Sequence, residues 1–190
     1  LLINMRYKSM ETQVNQSLIR IIKGNITEQN TMAIVNAANS QLIGGAGVDG
    51  AIRNAGGPTI TEECDQIRRK QGGCPTGQSV ITTGGNLEAT HVIHTVGPVW
   101  KGGSANEAKL LANCYQSCLE LAVTHEITSL SFPSIGTGIY GYPIEKAATT
   151  ALGSVGEFLR QSNMLKEIRF VLFGSTDYSI YQQIATGILQ

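Results

Sequence analysis

The sequence predicts an α/β fold in which helices cover both faces of a mainly parallel sheet. Short β-rich runs alternate with helical segments along the chain, and no long linker interrupts them. Connections of this kind are short and right-handed, which places the strands in parallel. The 190 residues suit one domain, since a chain of this size buries roughly 70% of the surface that its unfolded form exposes. Residues 16–190 are predicted to form that domain, and residues 1–15 an N-terminal extension.

Six runs are predicted as strands because they are rich in β-branched and aromatic residues and are bounded by turn-forming residues. They span residues 18–22, 33–35, 79–82, 91–96, 129–132 and 168–173. Ligands of such sheets bind beyond the carboxyl ends of the strands. The segments that follow the strands are therefore the first place to look for a site.

Helices are predicted between these strands. Two segments, within residues 104–125 and 148–159, carry apolar residues at the three-and-four spacing of a helix that faces the core. A shorter helix is predicted over residues 48–55. The charged run over residues 62–70 is typical of a solvated helix face.

The composition argues against several classes of protein. Lys plus Arg and Asp plus Glu number 14 each, so nonspecific binding to nucleic acid or to an anionic membrane is not favoured. No apolar run reaches the roughly 18 residues that span a bilayer. The four cysteines contain no CxxC pair, which fits buried side chains in a reducing, cytoplasmic compartment. His91 and His94 point to opposite faces of a strand, so a shared metal ion is not expected.

The stretch after the second strand, residues 36–50, has the features of an anion-binding loop. It combines Asn36 and Asn39 with a glycine cluster and the carboxylate of Asp49. Glycines let the main chain approach a phosphate closely, and the N-terminus of the following helix adds N–H donors. The stretch matches neither GxxxxGK[ST] nor GxGxxG, so a nucleotide triphosphatase and a dinucleotide dehydrogenase are both disfavoured.

A second glycine-rich segment, residues 134–143, is free of charge and ends in aromatic residues before a helix. It could clamp a diphosphate from the other side. The alternative is a plain connection in which Tyr140 covers the core. Because two such loops follow strands of one sheet and both run into helices, the paired clamp is favoured.

These motifs resemble the macro domain family, in the family's order, over residues 18–185. The resemblance is carried by GNIT at 24–27, AIVNAAN at 33–39, GGAGVDGAI at 44–52, VIHTVGPVW at 92–100 and FPSIGTGIYGYP at 132–143. The Asp after the valine of the glycine cluster is similar to that of the MacroD-type hydrolases. The resemblance implies a three-layer α/β/α macro-type fold with a mixed, mainly parallel central sheet. It also implies ADP-ribose, its esters and mono-ADP-ribosylated proteins as partners, without a cofactor.

For the adenine end of ADP-ribose, the resemblance implies three residues. Asn25 stands where the family has an Asp that accepts a hydrogen bond from the adenine amine. An amide oxygen can also accept it, but a charge-assisted bond is roughly twice as strong. Ile26 and Phe173 would cover the two sides of the ring, and Phe173 could equally belong to the core.

Around the diphosphate and the distal ribose, the resemblance implies the two glycine-rich loops. Asn39 would bind the ribose hydroxyls, although a buried asparagine could instead tie the turn together. Ala46 replaces a common glycine, and alanine tolerates a positive φ poorly. The substrate-binding residues implied here are Asn36, Gly45, Ala46, Gly47, Val48, Ser134, Gly136, Thr137, Gly138, Ile139 and Tyr140.

Asp49 and Asn39 are the predicted catalytic residues. Asp49 could orient or deprotonate a water that attacks an ester at the distal ribose, while Asn39 holds that ribose. The alternative for Asp49 is a first-turn residue that the helix dipole favours. MacroD-type members usually carry a His at the position of Arg53. An Arg cannot act as a base, and one turn from Asp49 it is placed to pair with that carboxylate.

Three functions remain open from the sequence. The first is a hydrolase of ADP-ribose esters, acting on O-acetyl-ADP-ribose or on ADP-ribosyl groups of Glu and Asp side chains. The second is a module that binds ADP-ribose without turnover, which Asn25 and Arg53 keep open. The third is an RNA-binding domain, which the zero net charge disfavours.

Overall fold

The computed structural model describes residues 9–189, in which seven strands form one sheet. The strands are β1 (Ser9–Val14), β2 (Ser17–Lys23), β3 (Ala33–Ala37), β4 (Ser79–Thr83), β5 (His91–Thr95), β6 (Ser129–Phe132) and β7 (Glu167–Leu172). Their order across the sheet is β1-β2-β7-β6-β3-β5-β4. The inner neighbours pair in parallel, whereas β1 with β2 and β4 with β5 are antiparallel. The prediction of a mixed, mainly parallel sheet is confirmed.

Helices cover both faces of this sheet. They are α1 (Gly47–Gly56), α2 (Pro58–Gln71), α3 (Glu107–Thr124), α4 (Ile144–Gln161) and α5 (Ser175–Ile188), and a 3₁₀ turn (Ile26–Glu28) follows β2. The helices α1 and α2 pack on one face, around Ile52 and Ile60. The helices α3, α4 and α5 pack on the other. The predicted three-layer α/β/α architecture is confirmed.

Strand β3 shows why the central strands read as continuous apolar runs. Ala33 and Val35 belong to the core beneath α3, α4 and α5, and Ile34 between them belongs to the core beneath α1 and α2. Successive side chains of a strand point to opposite faces, so a strand covered on both faces must be apolar at every position. Because β2, β7, β6, β3 and β5 pair in parallel, their carboxyl ends lie at one edge of the sheet.

The N-terminal boundary differs from the sequence analysis. Residues 1–15 were expected to be an extension, but β1 lies within that stretch and pairs antiparallel with β2. Met10 packs against the larger core, so β1 is an integral edge strand. Residues 1–8 of the expected extension lie outside the described residues.

Helix α5 was not predicted from the sequence. Its buried residues are Tyr178, Tyr181 and Ala185, and most of its other positions are polar or small. It packs against α4 and β2 and completes the second helical layer. Among residues 9–189, no helix is both long and apolar enough to cross a membrane.

Candidate active site

A cleft with two adjoining hollows opens at the carboxyl ends of the parallel strands. The larger hollow, about 460 Å³, lies beyond β2 and β7, and the smaller hollow, about 220 Å³, lies beyond β3 and β5. Both are bordered by Gly47, Val48, Ser134 and Gly138, so they form one continuous cleft. Every residue that the sequence analysis assigned to the site lines this cleft, except Asn36.

The larger hollow is lined by the residues predicted to bind a nucleobase. Ile26 is buried in its wall, whereas Phe173 is 84% exposed at its rim. The alternative assignment of Phe173 to the core is therefore wrong. The side-chain oxygen of Asn25 accepts a hydrogen bond from the Thr27 N–H at 3.0 Å, which caps the 3₁₀ turn. Asn25 thus has a turn-forming contact while it also faces the hollow.

The first glycine loop, residues 38–46, connects β3 to α1 and lines the smaller hollow with Ala38, Asn39, Gly45 and Ala46. Ala46 has φ −94° and ψ −174°, an extended conformation that alanine adopts freely. The positive φ lies one residue later, at Gly47, with φ +62°. The loop shape therefore tolerates alanine at position 46. The first N–H groups of a helix lack partners within the helix, so the start of α1 offers donors to a ligand in the cleft.

One predicted donor of this loop is oriented differently. Gly45 was expected to present its N–H to a phosphate. Instead that N–H donates to Oδ2 of Asp49 at 2.5 Å. Gly45 still lines the smaller hollow, but its N–H is engaged within the protein. The N–H groups of this region that can face the cleft are therefore those that follow Gly45.

Asp49 lies in the wall of the smaller hollow and is only 4% exposed. Arg53, one helical turn later, forms an ion pair with it, with Nε 3.2 Å from Oδ1 and 3.1 Å from Oδ2. The pairing expected from their spacing is thus present. Asp49 also lies in the first turn of α1, where the helix dipole favours a carboxylate.

Asn36 does not reach the cleft, which corrects its assignment as a substrate-binding residue. It is 0% exposed, and its Nδ2 donates to Oδ1 of Asp49 at 2.6 Å and contacts Nδ1 of His94 at 3.1 Å. The parallel pairing of β3 with β5 sets Asn36 directly beside His94. Asn36 therefore supports Asp49 from beneath.

His94 was interpreted as a structural residue, and it continues this polar chain below the cleft. Its Nε2 lies 2.9 Å from the hydroxyl of Thr82. Complete burial, with a smaller contribution from the nearby Arg53, lowers the pKa of His94 to about 3. The imidazole is therefore neutral at neutral pH. Because Nδ1 accepts from Asn36, Nε2 carries the proton and donates it to Thr82.

Asn39 lies in the wall of the smaller hollow, and its amide also shapes the loop. Its Nδ2 donates to the carbonyl of Ile43 at 2.6 Å, and its Oδ1 accepts from the Ile43 N–H at 3.2 Å. These two bonds close the turn, as the alternative interpretation anticipated. Asn39 is half-buried, so part of the residue remains accessible from the hollow.

The second glycine loop, residues 133–143, forms the opposite wall of the cleft. The N–H of Tyr142 donates to the carbonyl of Gly136 at 3.0 Å, and the hydroxyl of Thr137 donates to the carbonyl of Ser134 at 3.1 Å. The N–H of Trp100 donates to the carbonyl of Tyr140 at 2.9 Å.

Tyr140 lines the smaller hollow rather than the core, and Ile139 is strongly exposed beside it.

Several residues of the cleft were missed by the sequence analysis. Asp177 in the first turn of α5 lines the larger hollow, and Gly97 after β5 lines the smaller one. Gly97 follows a predicted strand, so the rule that ligands bind beyond strand ends could have found it. Asp177 carried no such signal because α5 was not predicted. The four cysteines are buried and free, and residues 9–189 contain no cluster of three His, Cys, Asp or Glu side chains arranged for a metal.

The chain belongs to the Macro domain family, whose sequence pattern matches residues 35–151. A macro domain-containing protein of Caldanaerobacter subterraneus subsp. tengcongensis is 58% identical over 165 residues, which cover 87% of this chain and 94% of that protein. O-acetyl-ADP-ribose deacetylase 1 of Pantoea vagans is 50% identical over 166 residues, 87% of this chain and 97% of that protein. The Oceanobacillus iheyensis macrodomain with ADP superposes with a TM-score of 0.93 at 43% identity, covering 97% of this chain and 98% of that one.

Proposed function

We propose that this macro domain binds ADP-ribose and hydrolyses its esters. The observation that carries the proposal is the continuous cleft. The start of α1 lies between its two hollows: the larger one has the exposed ring of Phe173 at its rim, and the smaller one has Asp49 in its wall. This order matches the order of groups in ADP-ribose, which runs from base through diphosphate to distal ribose. The similarity to a protein named O-acetyl-ADP-ribose deacetylase supports the same activity.

The ligand orientation follows from the chemistry of the two hollows. Adenine fits the larger hollow between Ile26 and Phe173, because both present apolar surface to a flat ring. The diphosphate fits the shared border, where the N–H groups at the start of α1 and the second glycine loop face each other. The distal ribose then enters the smaller hollow, beside Asn39 and Asp49.

The reaction consumes one water for each ester bond. With O-acetyl-ADP-ribose, water and the ester give acetate and ADP-ribose; with an ADP-ribosylated Glu or Asp, they give the free carboxylate and ADP-ribose. Asp49 orients or deprotonates the water, and Asn39 holds the ribose. The rate enhancement comes mainly from positioning, because the two loops fix the diphosphate on both sides.

A second candidate function is a module that binds ADP-ribose without turnover. It is favoured by the contacts of Asp49, whose two oxygens accept from Asn36, Gly45 and Arg53. With both oxygens engaged by protein donors, this carboxylate has little accepting capacity left to hold and orient a water. The two candidates share the cleft and differ only in whether Asp49 acts on water.

An Asp49→Ala substitution separates the two functions. We expect it to abolish release of ADP-ribose from O-acetyl-ADP-ribose, while calorimetric titration still detects ADP-ribose binding, weakened because the Gly45 N–H loses its acceptor. A circular dichroism spectrum and a melting curve verify the fold of the variant. Equal turnover in variant and wild type would contradict the function proposed for Asp49. Binding without turnover in the wild type would favour the binding module.

A further inference from the structure

We propose that Arg53 is a positioning residue of the cleft: through the Asp49 carboxylate it fixes the first glycine loop against α1. The proposal deepens the proposed function and depends on it only for the effect on turnover. It concerns a side chain that lies below the cleft and does not line either hollow.

The guanidinium of Arg53 connects three parts of the chain. Besides the bonds from Nε to Asp49 within α1, Nη2 donates to the carbonyl of Leu42 in the first glycine loop at 2.9 Å. Nη1 donates to the hydroxyl of Thr61 in α2 at 3.0 Å. One side chain therefore holds the loop, α1 and α2 in a fixed relation.

The ion pair is enclosed by the protein. The side chains of Arg53 and Asp49 are 8% and 5% exposed. Gly44 lies directly over the arginine, since a Cβ atom at that position would be 3.4 Å from Cδ of Arg53. A buried ion pair that loses one partner leaves an uncompensated charge, which is strongly unfavourable. Loss of the guanidinium must therefore displace Asp49 or admit water beneath the loop.

Displacement of Asp49 would reach the loop through Gly45. The N–H of Gly45 donates to Oδ2 of Asp49, the same oxygen that lies 3.1 Å from Nε of Arg53. The position of Gly45 thus depends on Asp49, and that of Asp49 depends on Arg53. The residues that follow Gly45 carry the N–H groups proposed to face the diphosphate. A change at Arg53 is therefore transmitted to the cleft without direct contact with the ligand.

A lysine cannot reproduce this arrangement. The arginine fork presents Nε, Nη1 and Nη2 in one plane toward three different acceptors. A lysine ammonium is a single point of charge at the end of a flexible chain. We therefore expect Arg53→Lys to retain the charge but to lose most of the positioning.

The first test reports on the loop and needs no turnover. The amide proton of Gly45 is measured by NMR in the wild type, in Arg53→Gln and Arg53→Lys, and in Arg160→Ala. Arg160 lies near the end of α4, donates to the carbonyl of Ile188 in α5 and lines neither hollow, so it is the matched control. We expect the Gly45 resonance to move upfield and its exchange with solvent to accelerate by about tenfold or more in the Arg53 variants only. An unchanged Gly45 resonance in a folded Arg53→Gln protein would overturn the proposal.

The second test measures turnover and its rescue. We expect Arg53→Gln and Arg53→Ala to lower kcat for O-acetyl-ADP-ribose by on the order of tenfold to a hundredfold, with a smaller change in KM. Added guanidinium ion at millimolar concentration should restore part of kcat in Arg53→Ala and none in Asp49→Ala. A wild-type kcat in a folded Arg53→Gln protein contradicts the positioning role.

The two tests separate failure of the proposal from failure of the proposed function. Absence of turnover in the wild type removes the hydrolase function, and the Gly45 amide then decides the positioning role alone. Thr61→Val is a milder variant, because it removes one partner of the guanidinium at an exposed position and leaves the ion pair intact. Should the Arg53 variants not fold, a smaller shift of the Gly45 amide in Thr61→Val supports the proposal, and an unchanged amide contradicts it.

Discussion

Gly50 packs so closely beneath Gly45 that a Cβ atom at Gly50 would lie 2.8 Å from the Gly45 carbonyl oxygen. A Cβ atom does not come this close to a backbone oxygen, so the first glycine loop rests directly on the backbone of α1. The first turn of α1 therefore supports the loop from below, next to the residues Gly47 and Val48 that border the cleft. The first glycine loop depends on this glycine although its φ is helical and any residue could adopt it.

Gly50→Ala is expected to weaken ADP-ribose binding although alanine is the better helix former. The added methyl group must push the loop outward, at a cost of about 1–3 kcal/mol typical of overpacking. Gly153, in α4, is the matched control because a Cβ atom there meets nothing within 4 Å. Gly153→Ala should raise the free energy of unfolding by about 0.5–1 kcal/mol and leave binding unchanged. Equal affinities for both variants in calorimetry would exclude the close contact as a determinant of the cleft.

Phe173→Ala is expected to affect binding without affecting stability. The ring is 84% exposed, so its removal should change the free energy of unfolding by less than about 0.5 kcal/mol. Stacking of a base on an aromatic side chain contributes about 1–3 kcal/mol, which predicts an affinity for ADP-ribose at least several-fold weaker. Denaturant titration and calorimetry measure the two quantities. An affinity equal to that of the wild type would show that the base does not contact this ring.

Asn25→Asp is expected to tighten binding of ADP-ribose. An aspartate can still cap the 3₁₀ turn, as the amide oxygen of Asn25 does, and adds a charged acceptor for the adenine amine. The gain should be several-fold in Kd. Inosine diphosphate ribose, whose base lacks the exocyclic amine, serves as the control ligand and should gain nothing. An equal gain for both ligands would mean that Asn25 does not contact the amine.

The stability of the protein is expected to fall in mild acid because of His94. Burial lowers the pKa of this imidazole from 6.5 to about 3, so below pH 6.5 the unfolded chain takes up a proton that the folded chain does not. Protonation thus favours the unfolded state, and the free energy of unfolding declines by up to about 1.4 kcal/mol per pH unit between pH 6.5 and 5. The free energy of unfolding of His94→Gln should lack this part of the pH dependence. His125→Gln, at an exposed helix end, should keep it, and identical slopes in the two variants would refute the assignment.

Most of the sheet could be predicted from the sequence, because its central strands are covered on both faces and must be apolar throughout. Strand β1 lies at an edge and carries exposed polar residues in alternation, so its sequence SMETQV lacks that signal. Helix α5 buries few side chains, and its amphipathic pattern is correspondingly weak. The two elements that were not predicted, β1 and α5, are thus those whose sequences carry a weak apolar pattern.

In the site, a contact between residues close in sequence could be predicted, whereas a long-range contact could not. The pairing of Asp49 with Arg53 follows from their spacing of four residues in a helix, and the sequence predicts it. The contact of Asn36 with His94 joins residues 58 positions apart and arises from the register of β3 and β5. The residues that neighbour Asn36 and His94 in the sequence carry no signal of that register. For this reason Asn36 was assigned to the ligand although it lies beneath the cleft.

The most direct measurement is the release of free ADP-ribose from O-acetyl-ADP-ribose, followed by chromatography for the wild type and for a sample without protein. Hydrolysis in the smaller hollow predicts release above the spontaneous background. The release should be saturable in substrate and competed by ADP-ribose. Release no faster than the background, from protein that binds ADP-ribose in the same buffer, would contradict ester hydrolysis and leave a binding module.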